Sequence, residues 1–362
     1  MPDDKDAPDN HPQPEQPAQP PQPEAAQPEG ARLFLLNVAR LREFVTFLIV
    51  VVVVLVFHFK TLPQKPTDPL PSIFLSSGSI KAMLVGISSE AILVVGMVIV
   101  IVGGGFDISV GSVLALGGLV TVQALKAHLP LPVAIAFGLL TGALCGLISG
   151  LLISRLGMSP LIATLGMMMA ARGLVTVHIN TYGAASSDDL PASFLNIGSA
   201  KVFDMQGFWI VVLSLAVVLV GDVLLRNLRW LRQVYYLGGN ERAAALSGIN
   251  IARVRTVTYV LCGMTAAFAG ILNSARFGTA TYEAGMGLEL QVIAECVIGG
   301  ASLIGGQGTV IGAFLGVVLL NCIKNGLTDL GIGPEWQYVI VGVGLIFFVT
   351  VDLVLAKRRR GQ

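Results

Sequence analysis

Apolar runs of bilayer length recur along most of this chain, and no other feature limits its fold as severely. They lie near residues 44–59, 83–102, 110–127, 132–154, 160–179, 208–225, 254–274, 289–304, 307–326 and 336–356. A helix of about twenty residues spans the roughly 30 Å of hydrocarbon. The chain therefore reads as an all-α polytopic membrane protein with roughly ten transmembrane helices. Composition agrees: of 362 residues 54% are hydrophobic and only 12% charged, and the mean hydropathy is +0.77, far from a soluble domain.

Positive charge orients the bundle. Arg32, Arg40 and Arg42 precede the first run, and counting crossings from an inside start puts Arg155, the cluster Arg226, Arg229, Arg232, Arg242, Arg253 and Arg255, and Lys357 to Arg360 on the same side. That side is cytoplasmic by the positive-inside rule, with both termini there. Tyr182 to Gln206, carrying Asp188 and Asp189, falls outside.

Three regions follow. Residues 1–30 hold half of the prolines together with seven acidic residues and no apolar run, so a disordered cytoplasmic tail is expected. It lacks the basic-then-apolar layout of a signal peptide. Residues 31–80 contain the first span and an outer loop with the proline-rich stretch Pro63 to Pro71, and residues 81–362 form the membrane core with a cytoplasmic loop at 226–255. A net charge of +1 spread over span ends gives no footprint for nucleic acid. Cys145, Cys262, Cys296 and Cys322 sit in apolar runs, and His11, His58, His128 and His178 are scattered. Neither set has disulfide or metal spacing, and no cofactor is expected.

The most distinctive polar stretch is Leu237 to Arg255, LGGNERAAALSGINIARVR. Asn240 is placed to cap a short helix after Gly239, Glu241 suits its first turn, Ala243 to Ala245 propagate it, Ser247 lies at its end, and Gly248 is a natural stop. Two turns do not hold together alone in water. Such a helix needs a docking surface, which small alanines such as Ala244 would let approach closely; the alternative is a solvated connection.

Two glycine-rich interruptions share a pattern: GGGFDISVGSVLALGG, Gly103 to Gly118, and GGASLIGGQGTVIGAFLG, Gly299 to Gly316. Each has a glycine pair, a polar break, then Gly-Ser-Val or Gly-Thr-Val opening a new apolar run, so residues 83–179 and 254–356 read as two copies of one unit. Broken helices in matched halves often line a transport pathway; tight turns between spans are the alternative. Glycines at 138, 142, 146 and 150, and at 308, 312 and 316, form flat stripes for close helix packing.

Charged or polar residues within spans are candidates for that pathway. They are Glu90, Asp107 with Ser109 beside it, Arg172 and Glu295. Each charge near the bilayer centre costs about 2.5–3.5 kcal/mol to insert, so each needs a partner or a polar cavity. Asp107 could instead cap its loop, Arg172 could snorkel or meet a carboxylate, and Ser or Thr neighbours could satisfy Glu90 and Glu295. Phosphate-loop, nucleophile-elbow, HExxH and paired CxxC motifs are missing from the sequence, so no covalent catalysis by this chain is expected. Uphill transport would draw on an ion gradient through buried carboxylates or on a docked ATPase.

Four stretches in order, GGGFDISVGSVLALGG, SPLIATLGMMMAARGL, GGNERAAALSGIN with AAFAGIL, and GLELQVIAECVIGGASLIGGQGTVIGAFLG, resemble the membrane permease of ribose, xylose and galactose type ATP-binding cassette importers. The resemblance runs from about residue 80 to the C-terminus. It implies a bacterial inner-membrane permease that moves a monosaccharide by alternating access. The implied partners are a cytoplasmic ATP-binding subunit, a periplasmic sugar-binding protein, and a second permease copy or paralogue, all within membrane lipid. It also makes Asn240 to Gly248 the coupling helix that seats in the ATPase. The family commonly has a small residue where this chain has Glu295, and the proline-rich tail and loop are outside the shared pattern. A related permease for nucleosides, a signalling sugar or branched-chain amino acids is one alternative; an ion-coupled transporter using Glu90 and Glu295 is another.

Overall fold

The computed structural model describes residues 29–62 and 73–333, with 335–337, 339–340, 342–344, 346 and 350 beyond them, and side chains from residue 43 onward. The acidic tail up to residue 28, the Pro63 to Pro71 loop and the basic residues at 357–360 lie outside the described residues, as does much of the last apolar run. Residues 1–37 cluster as a unit of their own, of which 29–37 are described, as helix. The second unit, from Val38 on, holds the membrane bundle.

In chain order the helices are α1 (Glu29–Lys60), α2 (Ser77–Val102), α3 (Val110–Lys126), α4 (Leu131–Ser154), α5 (Pro160–Tyr182), α6 (Ala192–Ser199), α7 (Phe208–Asn227), α8 (Arg229–Gly239), α9 (Glu241–Leu246), α10 (Ile251–Phe277), α11 (Leu288–Ile298) and α12 (Val310–Asp329). Among the described residues seven helices are long and apolar enough to cross a membrane: α1 from Glu43, α2, α4, α5, α7, α10 and α12. The crossing expected at 110–127 is the shorter α3. The one expected at 289–304 is α11, 11 residues long and so about 16 Å. It is shortened at both ends, because residues 278–287 are non-helical before it and the Gly299 break stops it.

Bare glycine backbone holds the bundle together. A methyl group on Gly142, Gly146 or Gly150 of α4 would fall on the backbone of Gly263, Tyr259 or Thr256 of α10, and one on Gly270 of α10 would fall on the Leu114 carbonyl of α3. Gly312 and Gly316 of α12 lie equally close to the carbonyls of Gly299 and Glu295. In lipid, where dispersion and not the hydrophobic effect drives helix association, such approach is what makes two helices adhere. Thus α10 is central, packed on α2, α3 and α4.

The ends of the bundle differ. One gathers the C-terminus of α2, both glycine breaks, α8, α9 and the start of α10. The other carries Ser79 Oγ donating to Asp329 at 3.5 Å, the ion pair Lys126–Asp189 at 3.2 Å, and Lys81–Asp204 at 3.4 Å. Residues 182–206, expected only as a loop, contain a 3-10 turn at Ser187–Asp189, α6, and a two-stranded hairpin of β1 (Lys201–Val202) and β2 (Met205–Gln206).

Candidate coupling and translocation site

The two glycine breaks close by the same hydrogen bonds. Gly103, Gly104 and Gly105 donate their backbone N–H groups to Ile99, Ile101 and Val100, and Gly299, Gly300 and Ala301 donate to Glu295, Val297 and Cys296, all at 2.9–3.2 Å. The offsets along the chain are identical. Gly104 and Gly300 take φ of +80° and +96°, the left-handed region that a side chain would strain. After each break a hydroxyl residue opens the next helix: the Ser109 carbonyl accepts from Val113, the Thr309 carbonyl accepts from Ala313, and Thr309 Oγ1 also accepts from the Gly312 N–H at 3.0 Å. Asp107, wholly buried, accepts from the N–H and hydroxyl of Ser109 at 2.8 and 2.6 Å. It caps its own loop.

These breaks meet at the end of α8. The Gly306 N–H donates to the Val102 carbonyl at 2.7 Å, and a Cβ on Gly305 would lie 2.9 Å from Gly238 Cα and 3.0 Å from Gly104 Cα. Two tyrosines tie the loops down: Tyr235 of α8 donates to the Gly308 carbonyl at 2.8 Å, and Tyr259 of α10 to the Phe106 carbonyl at 3.3 Å. Burial pushes the Tyr235 hydroxyl up to about 12, so it stays a donor at physiological pH. Beside the first break a cavity of about 250 Å³ opens between Gly103, Gly105, Met158, Arg255 and Tyr259.

From this junction the chain runs straight into α9. Asn240 Oδ1 accepts from the Ala243 N–H at 3.1 Å, Gly248 takes a φ of +80° just after the helix, and Glu241 pairs with Arg255 of α10 at 2.7 Å. Gly239, Asn240, Glu241, Ser247 and Gly248 are exposed. Ala244 is not: at 3% exposure it faces inward and seats the helix on the chain itself, while Leu246 is 91% exposed. A six-residue helix has one side to anchor and one to offer, and the anchor is Ala244. Sequence reasoning missed Leu246, and it also missed α8, which buries Leu231, Val234 and Leu237 along one face; their spacing beside Arg229 and Arg232 was the available signal.

Apart from Asp107, the intramembrane charges separate into two places. Arg172 of α5 donates to Ser112 Oγ at 3.2 Å, to the Ala284 carbonyl at 2.7 Å and to the Tyr282 carbonyl. It thereby satisfies backbone freed by the non-helical 278–287 segment, where Gly285 packs against Gly111; irregular backbone at membrane depth needs such partners. Glu90 and Glu295 come together instead in a second cluster, between α2, α11 and α12, with Asn321 and Lys324. Asn321 and Lys324, three residues apart inside an apolar run, were readable as its partners. A further cluster went unrecognised: Glu43 accepts from Arg226 at 2.8 Å and from Thr309 at 2.6 Å, and Asp222 pairs with Arg226 at 2.6 Å and accepts from the Ile311 N–H at 3.3 Å. It clamps the N-terminus of α12 just past the second break.

Two matched glycine breaks in a membrane bundle thus meet at the segment that leads into α9. Residues 79–349 match a family described as branched-chain amino acid transport system / permease component, and the chain belongs to that family. The ribose import permease protein of Escherichia coli K12 is 36% identical over 275 residues, covering 73% of this chain and 82% of the relative. The galactose/methyl galactoside import permease protein of the same organism is 32% identical over 336 residues, 88% of this chain and 98% of that one. Its D-allose transport system permease protein is 33% identical over 313 residues, 86% and 92%.

Proposed function

We propose that this chain is the membrane subunit of an ATP-binding cassette importer that carries a monosaccharide of the ribose, galactose or allose class across the bacterial inner membrane. The family description names amino acids, but the relatives that match over most of their length are named for sugars. The observation that carries the reading is the junction of Gly104, Gly238 and Gly305. Both glycine breaks rest on the segment that leads into α9, the first through Val102 and Gly104 and the second through Gly305 and Gly306, so a force applied to α9 reaches both at once. In this reading the end bearing Arg155, Arg226, Arg229, Arg232, Arg242 and Arg255 faces the cytoplasm. Seven long helices, α3, α11 with the segment before it, and the run at 336–356 make about ten crossings.

A cytoplasmic ATPase seats α9 through Gly239, Asn240, Glu241, Ser247 and Gly248 around the projecting Leu246, with Ala244 holding the helix from behind. A periplasmic binding protein delivers sugar to the opposite face at 182–206, and a second permease copy or paralogue completes the core. Of the five pathway candidates, Arg172 is half-buried and holds the carbonyls of Tyr282 and Ala284, in a segment whose Tyr282 side chain is exposed. Glu90, Asp107, Ser109 and Glu295 are buried within one chain, so they would meet solute only after the helices move. Inverting a 1:99 population takes about 5.5 kcal/mol of differential binding, which a nucleotide-driven partner can supply.

The test is purification of the tagged chain from its native membrane, with identification of stoichiometric partners and uptake assays for ribose, galactose and allose. A P-loop ATPase that copurifies with wild type and is lost with Leu246→Arg supports the assignment. Sugar uptake that persists without any ATPase, or an unchanged complex with Leu246→Arg, overturns it.

A further inference from the structure

We infer that Glu90 and Glu295 form a buried proton site, in which the two carboxyl groups share one proton and Lys324 balances the remaining charge. Glu295 is completely buried and Glu90 is 8% exposed. Their hydrogen bonds leave one atom unaccounted for. Gln291 Nε2 donates to Glu295 Oε1 at 2.7 Å, Asn321 Nδ2 donates to Glu90 Oε2, and Lys324 Nζ lies 3.5 Å from Glu90 Oε1. Glu295 Oε2, also buried, receives no donor among the described residues, and Glu90 comes to it across the α2–α11 seam, where the Cys296 thiol beside Glu295 donates to the Val94 carbonyl, one turn along α2 from Glu90, at 3.9 Å. Two carboxylates facing each other have no hydrogen to share, and one bound proton makes that contact a hydrogen bond.

Charge leads to the same result. The groups facing the pair are Lys324 and Asn321 from α12 and Gln291 and Cys296 from α11. With both acids ionised, the single lysine leaves an uncompensated negative charge in a membrane interior that tolerates none cheaply. With one proton the cluster is neutral. Like charges held side by side in a dry site do not both ionise, the same reason that paired catalytic carboxylates hold a proton between them.

The site joins α2 and α11 one turn before the Gly299 break, whose N–H bonds the Glu295 carbonyl, and Gly316 presses α12 against that same carbonyl. Losing the proton would set two anions against each other across the α2–α11 seam. Because stability drawn from a bound proton is lost once that proton leaves, the wild-type chain should loosen on the alkaline side.

Infrared difference spectroscopy of the purified full chain tests this directly, without ATPase or sugar. Wild type should show, at neutral pH, a carbonyl stretching band of a protonated carboxylic acid that shifts in heavy water and fades at alkaline pH. The band should be missing in Glu295→Gln, which should fold as well as wild type and lack its alkaline fall in melting temperature. If Glu295→Gln does not insert, Glu90→Gln removes the same band by the other partner. A wild-type spectrum with the same acid band in both variants overturns the inference. So does a melting temperature that responds to sodium at constant ionic strength without any band, which would make the site one for a cation.

Discussion

Gly306 donates its N–H to the carbonyl of Val102 across 2.7 Å, so the loop of the second glycine break is hydrogen-bonded to the last helical residue before the first. With Gly238 lodged against both, three segments far apart in sequence share one point of contact, and α9 leaves from that point.

Gly238→Ala should therefore damage the protein while its neighbour does not. A Cβ on Gly238 would overlap the Val102 carbonyl, whereas one on Gly239 meets nothing within 4 Å. Overpacking of this kind costs about 1–3 kcal/mol. Thermal unfolding in detergent should show the loss for Gly238→Ala and near wild-type behaviour for Gly239→Ala; equal melting temperatures would mean the junction is loose.

The glycine stripe of α4 makes a parallel comparison. Gly146→Ala places a methyl on the Tyr259 backbone, but Gly166→Ala and Gly173→Ala on α5 enter open space. The first should lose about 1–3 kcal/mol of stability and the other two almost none, as read by melting temperature of the three purified variants.

Replacing Arg172 should uncouple the non-helical segment from α5. Hydrogen bonds from a charged donor contribute about 1.5–3 kcal/mol, and Arg172→Met removes those to Tyr282, Ala284 and Ser112. Expected are a melting temperature lowered by a loss on the order of 3 kcal/mol and faster hydrogen exchange at 280–287. Arg172→Lys, which keeps the charge without the fork, should fall between; exchange rates that do not move would show that the segment holds itself.

Acid should act on the opposite face. The Ser186 N–H and Lys126 hold the Asp189 carboxyl below the usual range, and Lys201 with Lys81 does the same for Asp204, which in turn raises Lys201. A carboxylate lowered in the folded state contributes stability present above its unfolded value and lost as pH falls through the folded one. Protection of 186–206 against hydrogen exchange, taken relative to the intrinsic rate at each pH, should thus hold from neutral pH to the ordinary carboxylate range, begin to fall there and be lost below the lowered folded values. Asp204→Asn should abolish the hairpin part of that acid response.

Long apolar runs, positive charge at their ends, the Asn240 cap and the paired glycine breaks were legible in the chain itself, because each is set by neighbours a few residues away and by the solvent the segment meets. Bilayer thickness selects runs of about twenty residues, and a left-handed turn selects glycine wherever it occurs. The outward or inward direction of a two-turn helix is another matter. Ala243, Ala244 and Ala245 look alike in sequence, and only the packing of α9 against α8 and α10 decides that Ala244 is covered and Leu246 exposed.

Pairing between distant segments belonged wholly to the tertiary structure. Glu90 and Glu295 were visible as charges that needed partners, but that they partner each other beside Lys324 depends on α2, α11 and α12 meeting at one depth. The same holds for Glu43, Asp222 and Arg226 at the start of α12, and for Arg172 reaching the carbonyls of Tyr282 and Ala284. Local sequence determined which backbone and side-chain groups would be left unsatisfied in the membrane; the crossing of helices decided what satisfies them, since in hydrocarbon no water stands in for a missing partner.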